Sequence, residues 1–295
     1  MTEDDDFAAY QSLSEETEDH RWAFGTGFSD PLEGIDTSVP DGVDAEALAT
    51  YCLMLGDDAL IYSHRLQQWV TRMPELEEET ALANIALDLL GQARMLLSRA
   101  GRAEGAGRDE DRLAFFRTEG EFRNVRLVEP ADGDFAELVG RLLILSAWRL
   151  ALFGELTGSA DPVLAAIAGK GVKELTYHRD YAAQWVIRLG DGTALSLARM
   201  QAALGMIWPL FDELFRPDAV VARLPGVAAD PARLRPEVDG VLDAVLAAAT
   251  LDRPVGAPLA PVAGQTGRDG VHTEALGYVL AELQSVARAH PDATW

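Results

Sequence analysis

Cysteine occurs once in this chain of 295 residues, at Cys52. Neither a disulfide framework nor a thiolate metal cluster can be built from one thiol. Its setting, "ATYCLML", suits a small buried hydrophobe better than a nucleophile. Cationic residues are scarce too: 25 Lys and Arg face 48 Asp and Glu, a net charge of −23. That balance argues against binding nucleic acid by neutralising phosphates, and against an anionic membrane surface, because both draw their affinity from basic footprints. No run of 18 or more apolar residues is present. The opening "MTEDDDFAAYQSLSEETEDHRW" has neither the basic nor the apolar segment of a secretory signal, so a cytoplasmic location is expected. Strand-length alternation of apolar and polar residues is also missing, which leaves an all-α class.

The negative charge is unevenly placed. Residues 1 to 46 hold 14 Asp or Glu against the single Arg21, a net of −13. With its turn-rich "FGTGFSDPLEGIDTSVPDG", the segment 1–45 is expected to be an acidic, flexible extension, with Trp22, Phe24 and Phe28 able to dock on a surface. Residues 46–295 form the helical domain. A first helix is expected over about Asp44 to Arg72 and a second over Glu75 to Ala100, closed by Gly101. A short piece follows near Leu113 to Thr118, and a third long helix over Phe135 to Thr157. "SADP" starts a fourth, with Pro162 in its first turn, running to Arg188. A fifth covers Thr193 to Phe215 with a kink near Pro209, and shorter ones Pro231 to Ala249 and His272 to Ala289. The pattern is a four-helix bundle with additional C-terminal helices.

In "LANIALDLLGQAR" the polar residues Asn84, Asp88 and Gln92 recur every four positions, forming one stripe able to face inward. With Asp58, Glu174 and His178 they make the candidate site. Di-iron bundles take one Glu from each of two helices and a Glu-x-x-His pair from each of two others. Here the second helix offers Leu89-x-x-Gln92, the fourth Leu175-x-x-His178, and the third only Ser146. The best set reaches at most three carboxylates and one histidine, so a buried polar network is expected rather than a metal site. Arg65, Arg94 and Arg149 are candidate counter-charges. Thr273 and Glu274 are expected to cap the last helix, in preference to a His272–Glu274 ligand pair. Gly267 and Gly270 lack the Lys-Ser/Thr of a phosphate loop. Trp69, Trp148, Trp185, Trp208 and Tyr177 fall at helical spacing and are expected in the core.

The segments "PELEEE", "ALANIALDLLGQAR", "LAFFRTEGEFRNVRLVEP", "VKELTYH" and "GVHTEALGYVLAELQSVAR", in this order between Glu46 and Trp295, resemble the C-subunit family of the phenylacetyl-CoA epoxidases. The resemblance implies a ferritin-like fold and a non-catalytic structural subunit, paralogous to the di-iron catalytic A subunit with which it pairs. It implies no cofactor on this chain, iron on the partner, further complex components, and a separate reductase delivering electrons from NADPH. A homodimer is expected when the chain is isolated. Set against the A-subunit ligand pattern, the ligand positions fall at or beside Ala59, Leu89, Gln92, Ser146, Leu175 and His178, so the set Asp58, Asn84, Asp88, Gln92, Glu174 and His178 is expected to line a degenerate metal site. An autonomous ferritin-like oxidase with an atypical site is the alternative, and a scaffold without a catalytic partner a third reading.

Overall fold

The Asp44 side chain accepts the Ala47 N–H at 3.1 Å and so starts the first helix, α1 (Ala45–Val70). The computed structural model describes residue 32 and residues 34–73 and 75–293, so most of the expected acidic extension, with Trp22, Phe24 and Phe28, lies outside the described residues. Its last stretch, from Gly34, belongs to the same unit as the helices. There the buried Arg99 donates to the carbonyls of Thr37 at 2.6 Å and Ser38 at 3.2 Å.

After α1 come α2 (Leu76–Glu104), the short α3 (Glu110–Phe115), α4 (Phe135–Leu156) and α5 (Pro162–Gly190). α1 packs along α2 and α4 along α5, and these two pairs form the bundle. α6 (Ala194–Ile207) and α8 (Pro231–Ala248) lie against α4 and α5, while α9 (Glu274–Ala289) lies against α3 and α1; the single turn α7 is Ala219–Ala222. No strand occurs among the described residues. The protein is an all-α, ferritin-like bundle with additional C-terminal helices. α4 is its central helix, with 17 of 22 residues buried, Trp148 and Phe153 among them.

Two boundaries differ from expectation. Gly101 does not close α2; the helix continues one turn to Glu104 and ends on Gly105, whose φ of 69° is the left-handed stop. Gly101 is small for another reason, since a Cβ there would lie 2.0 Å from the Arg108 carbonyl oxygen. The expected fifth helix stays α-helical only to Ile207 and then winds as a 3-10 segment, Trp208–Phe215. Pro209 has no N–H to give to the preceding turn, which releases the tighter winding. The apolar stretch Ala194–Ala222, with mean hydropathy 1.2, meets the length and composition of a membrane span. It is interrupted by that 3-10 segment and by extended backbone at Arg216, so it does not form one continuous helix.

The aromatic expectation held only in part. Trp148 is buried, whereas Trp69, Trp185 and Trp208 are half-buried and Tyr177 is 50% exposed. Trp185 donates its indole N–H to Glu78 at 2.9 Å, so a polar rim holds it rather than the core. Cys52 is fully buried, and burial pushes its thiol well above the usual range, with the Asp161 carboxylate adding to the effect. We expect a thiol reagent at pH 8 to leave the native chain unmodified and to label Cys52 only as the chain unfolds. Stoichiometric labelling within minutes under native conditions would contradict this burial.

Candidate functional site

At the centre of the bundle three helices contribute one continuous row of polar side chains. Glu174 on α5 accepts from Gln92 Nε2 on α2 at 2.9 Å. The other end of the same amide, Gln92 Oε1, accepts from Arg149 Nε on α4 at 2.9 Å. Arg149 Nη1 then donates to the Leu55 carbonyl of α1 at 3.1 Å, so the row ties all four long helices together. Lys170, one turn before Glu174, reaches that carboxylate at 3.1 Å from the solvent side. Gln92 and Arg149 are fully buried. Burial pushes the Arg149 guanidinium down to about 10, the Asp58 and Glu174 carboxylates pulling the other way. It therefore stays charged at neutral pH, 4.5 Å over the Phe153 ring centre, with Nη2 lacking a hydrogen-bond partner among the described residues.

One turn further along α5, His178 Nε2 lies 3.0 Å from Asp88 Oδ2. The histidine is buried while the Asp88 side chain is 36% exposed, and His178 Nδ1 has no hydrogen-bond partner among the described residues. Asn84 stands apart. It is exposed, outside the network, so the stripe is not inward along its whole length. A step of four residues is 400° of rotation, and each step therefore turns the stripe by 40°. Over two steps it winds from solvent at Asn84, through Asp88, into the core at Gln92. We expect His178→Ala to lower stability by about 1–3 kcal/mol, through a lost pair and an emptied site. Unchanged denaturant unfolding would overturn this.

Asp58 belongs to a neighbouring cluster. Its carboxylate accepts from Arg268 at 2.8 and 3.0 Å and from the Val125 N–H at 2.8 Å. Beside it, Asp57 pairs with Arg117 and accepts the Arg123 N–H at 2.8 Å. The two adjacent carboxylates thus anchor two long connections, residues 117–128 and 266–273, on α1. Arg149 is the one expected counter-charge that joins the site. Arg65 is used on the Glu129 carbonyl at 2.8 Å, and Arg94, 67% exposed, faces Glu110 at 3.6 Å. The position of each along its helix, not its distance in sequence, decided this.

The expected cap on the last helix is also replaced. Thr273 makes no side-chain cap bond; its Oγ1 and N–H both donate to Glu129 Oε2 at 2.7 Å. Glu129 Oε1 lies 2.7 Å from His272 Nδ1 and accepts from Asn124 Nδ2 at 2.9 Å. This buried cluster, together with Arg268 and Arg117, escaped sequence reasoning. The segments carrying it, "EFRNVRLVEP" and "GRDGVHTE", have no helical period and lie far apart in the chain.

Of the positions where the family resemblance places ligands, Ala59, Leu89 and Leu175 are buried apolar residues. Ser146 bonds back to the Leu142 carbonyl of its own helix at 2.6 Å. Among the described residues, no three His, Cys, Asp or Glu side chains are grouped so as to hold a metal ion.

The model of the phenylacetic acid catabolic protein family matches residues 35–295. The C subunit of the 1,2-phenylacetyl-CoA epoxidase of Escherichia coli (strain K12) is 44% identical over 250 residues, which is 84% of this chain and 99% of that protein. A ferritin-like bundle with these motifs in this order, matched over nearly its whole helical part, belongs to the phenylacetic acid catabolic protein family.

Proposed function

We propose that this chain is the C-type subunit of a cytoplasmic phenylacetyl-CoA epoxidase, a non-catalytic structural subunit that pairs with and stabilises a di-iron A subunit. The 44% identity to the C subunit of such an epoxidase supports the assignment to that complex. The observation that carries the non-catalytic role is Arg149. A pair of irons needs a carboxylate-rich centre. Here a buried cation occupies the middle of the bundle, bonded to Gln92 and to the Leu55 carbonyl, beside leucines at two of the ligand positions. These residues do not fit a di-iron pair. The metal, the oxygen chemistry it supplies and the reductase that feeds it are assigned to partner chains.

Pairing is supported by the unequal burial of the four long helices. α1 and α4 are enclosed, with 17 buried residues each, while α2 and α5 bury only 12 and 10 of 29. Their open layer carries Leu87 at 55% and Tyr177 at 50% exposure. An obligate interface of about 2,000 Å² or more would cover such a layer and stabilise the partner by mass action.

Co-expression with the A-type subunit tests both halves of the reading. We expect the two to co-elute, the complex to oxidise phenylacetyl-CoA with NADPH, O₂ and the reductase, and the isolated chain to hold iron at well below one atom per polypeptide. Full activity of the A-type subunit and reductase without this chain would refute the structural role. Stoichiometric iron with oxidase activity in the isolated chain would favour the autonomous-oxidase alternative instead.

A further inference from the structure

Away from the polar row, an open groove of about 740 Å³ runs between the α2–α3 connection, α3 and the C-terminal half of α9. None of its lining residues belongs to α2 or α5, so it is separate from the layer assigned above to the A subunit. Its walls are apolar. Phe115, Phe116, Leu283 and Ala287 are half-buried and Val286 is 55% exposed, so two aromatic rings and three aliphatic side chains meet solvent in one place. A contiguous apolar surface rimmed by charge is the signature of an interaction site.

The rim is acidic. Asp109 and Asp111 line the groove at its α3 end, and the exposed Asp292 lies between the lining residues Pro291 and Ala293. The arginines beside them are engaged elsewhere: Arg108 gives its Nε to Glu104 at 2.7 Å, and the Arg112 guanidinium lies 4.5 Å over the Phe116 ring centre. Asp109 is tied by one oxygen to the Arg112 backbone N–H at 2.7 Å, while Asp111 has no ion-pair partner among the described residues. Burial, with Glu110 and Asp109 nearby, pushes the Asp111 carboxyl up. Like charges are crowded here, and a cation brought alongside would relieve them.

Charge and apolarity together select the occupant. A second copy of this chain would bring the same carboxylates and a net charge of −23 to the face, so self-association through it is opposed. An anionic bilayer is opposed on the same ground. The complementary shape is a segment with apolar residues on one side and Lys or Arg beside them, such as an amphipathic basic helix laid into a groove.

We infer that this groove docks a basic amphipathic segment of a partner protein, its apolar side chains against Phe115, Phe116 and Val286 and its cations beside Asp109 and Asp111. The inference goes beyond the pairing with the A subunit and does not depend on it. Fluorescence anisotropy of the full-length chain with a labelled leucine–lysine peptide of about four amphipathic helical turns tests it, against the same peptide with glutamate in place of lysine. At physiological ionic strength the lysine peptide is expected to bind saturably, one per chain, and the glutamate peptide not at all. Exposed positions separate docking from general attraction to an acidic protein. Val286→Glu adds a negative charge, so general attraction would tighten binding, whereas loss of the apolar contact should weaken it by about tenfold. Asp111→Lys should weaken it to a similar degree, and the same charge reversal at Glu237, on α8, should leave it within about twofold of wild type. Absence of saturable binding, or equal binding of the glutamate peptide, overturns the site. Tighter binding by Val286→Glu, or equal losses from Asp111→Lys and Glu237→Lys, overturns docking in the groove in favour of unspecific attraction.

Discussion

Asp161→Ala should lower stability by about 4–6 kcal/mol, a fall of roughly 10–20 °C in Tm for a domain of this size. Two losses combine at this one position. The Asp161 carboxylate is paired with Arg99, and both side chains are fully buried. Removing it leaves a guanidinium in the interior with only the Thr37 and Ser38 carbonyls, and an uncompensated buried charge costs about 3–5 kcal/mol. The same side chain caps α5 by accepting the Leu164 N–H at 2.8 Å, worth about 1 kcal/mol more. Asp161→Asn can keep the cap through its amide oxygen but loses both the charge and the acceptor facing Arg99, so it should lie between wild type and Asp161→Ala. Adding Arg99→Met to Asp161→Asn should restore much of the loss, because a methionine needs no counter-ion. A Tm within about 3 °C of wild type for Asp161→Ala would mean that water reaches Arg99, contrary to its burial.

That cap was readable in advance, and so was most of the helical layout. Asp44, Asp161 and Thr193 stand immediately before apolar periodic runs, and each caps the helix that follows it. Such signals are local, which is why they survive in one dimension. Gly101 shows the limit. A glycine after an apolar run reads as a stop, yet here it makes room for the Arg108 carbonyl, and the real stop is Gly105. Local sequence cannot separate a glycine needed for its φ from one needed for the absence of a Cβ. Pro209 is a milder case, where a helix breaker was foreseen as a kink and the chain instead changed its winding.

The site was legible in its residue types and not in its pairings. The four-residue period of Asn84, Asp88 and Gln92 correctly brought Gln92 inside, but the 40° drift per step puts Asn84 in solvent. Asp58 draws its counter-charge from Arg268, 210 residues away, and Glu129 meets His272 across 143. Buried ion pairs need only geometric closeness, and nothing in the neighbouring residues records which distant arginine the fold will deliver. The family resemblance helped because it spans both irregular segments as units, although it does not say what they bind.

Arg149→Ala is the second large effect, and it tests what the polar row at the bundle centre contributes. Truncation removes the bond to Gln92 Oε1, the bond to the Leu55 carbonyl and the stacking on Phe153, leaving a cavity between all four long helices. Cavity and unsatisfied polar groups together should cost about 3–5 kcal/mol, measured by denaturant unfolding. Arg149→Met should cost less than half of that, since it refills the volume and frees the interior of a desolvated cation. If the row serves helix register and not chemistry, the Met variant should still co-purify with the A-type subunit and support turnover in proportion to the complex recovered. An assembled complex that forms at wild-type yield yet is inactive with Arg149→Met would give Arg149 a role in the reaction and overturn the structural reading. The ordering of the two variants matters as much as the size of the loss. An Arg149→Met chain as unstable as Arg149→Ala would show that the charge itself, balanced by Asp58 and Glu174, holds the helices in place.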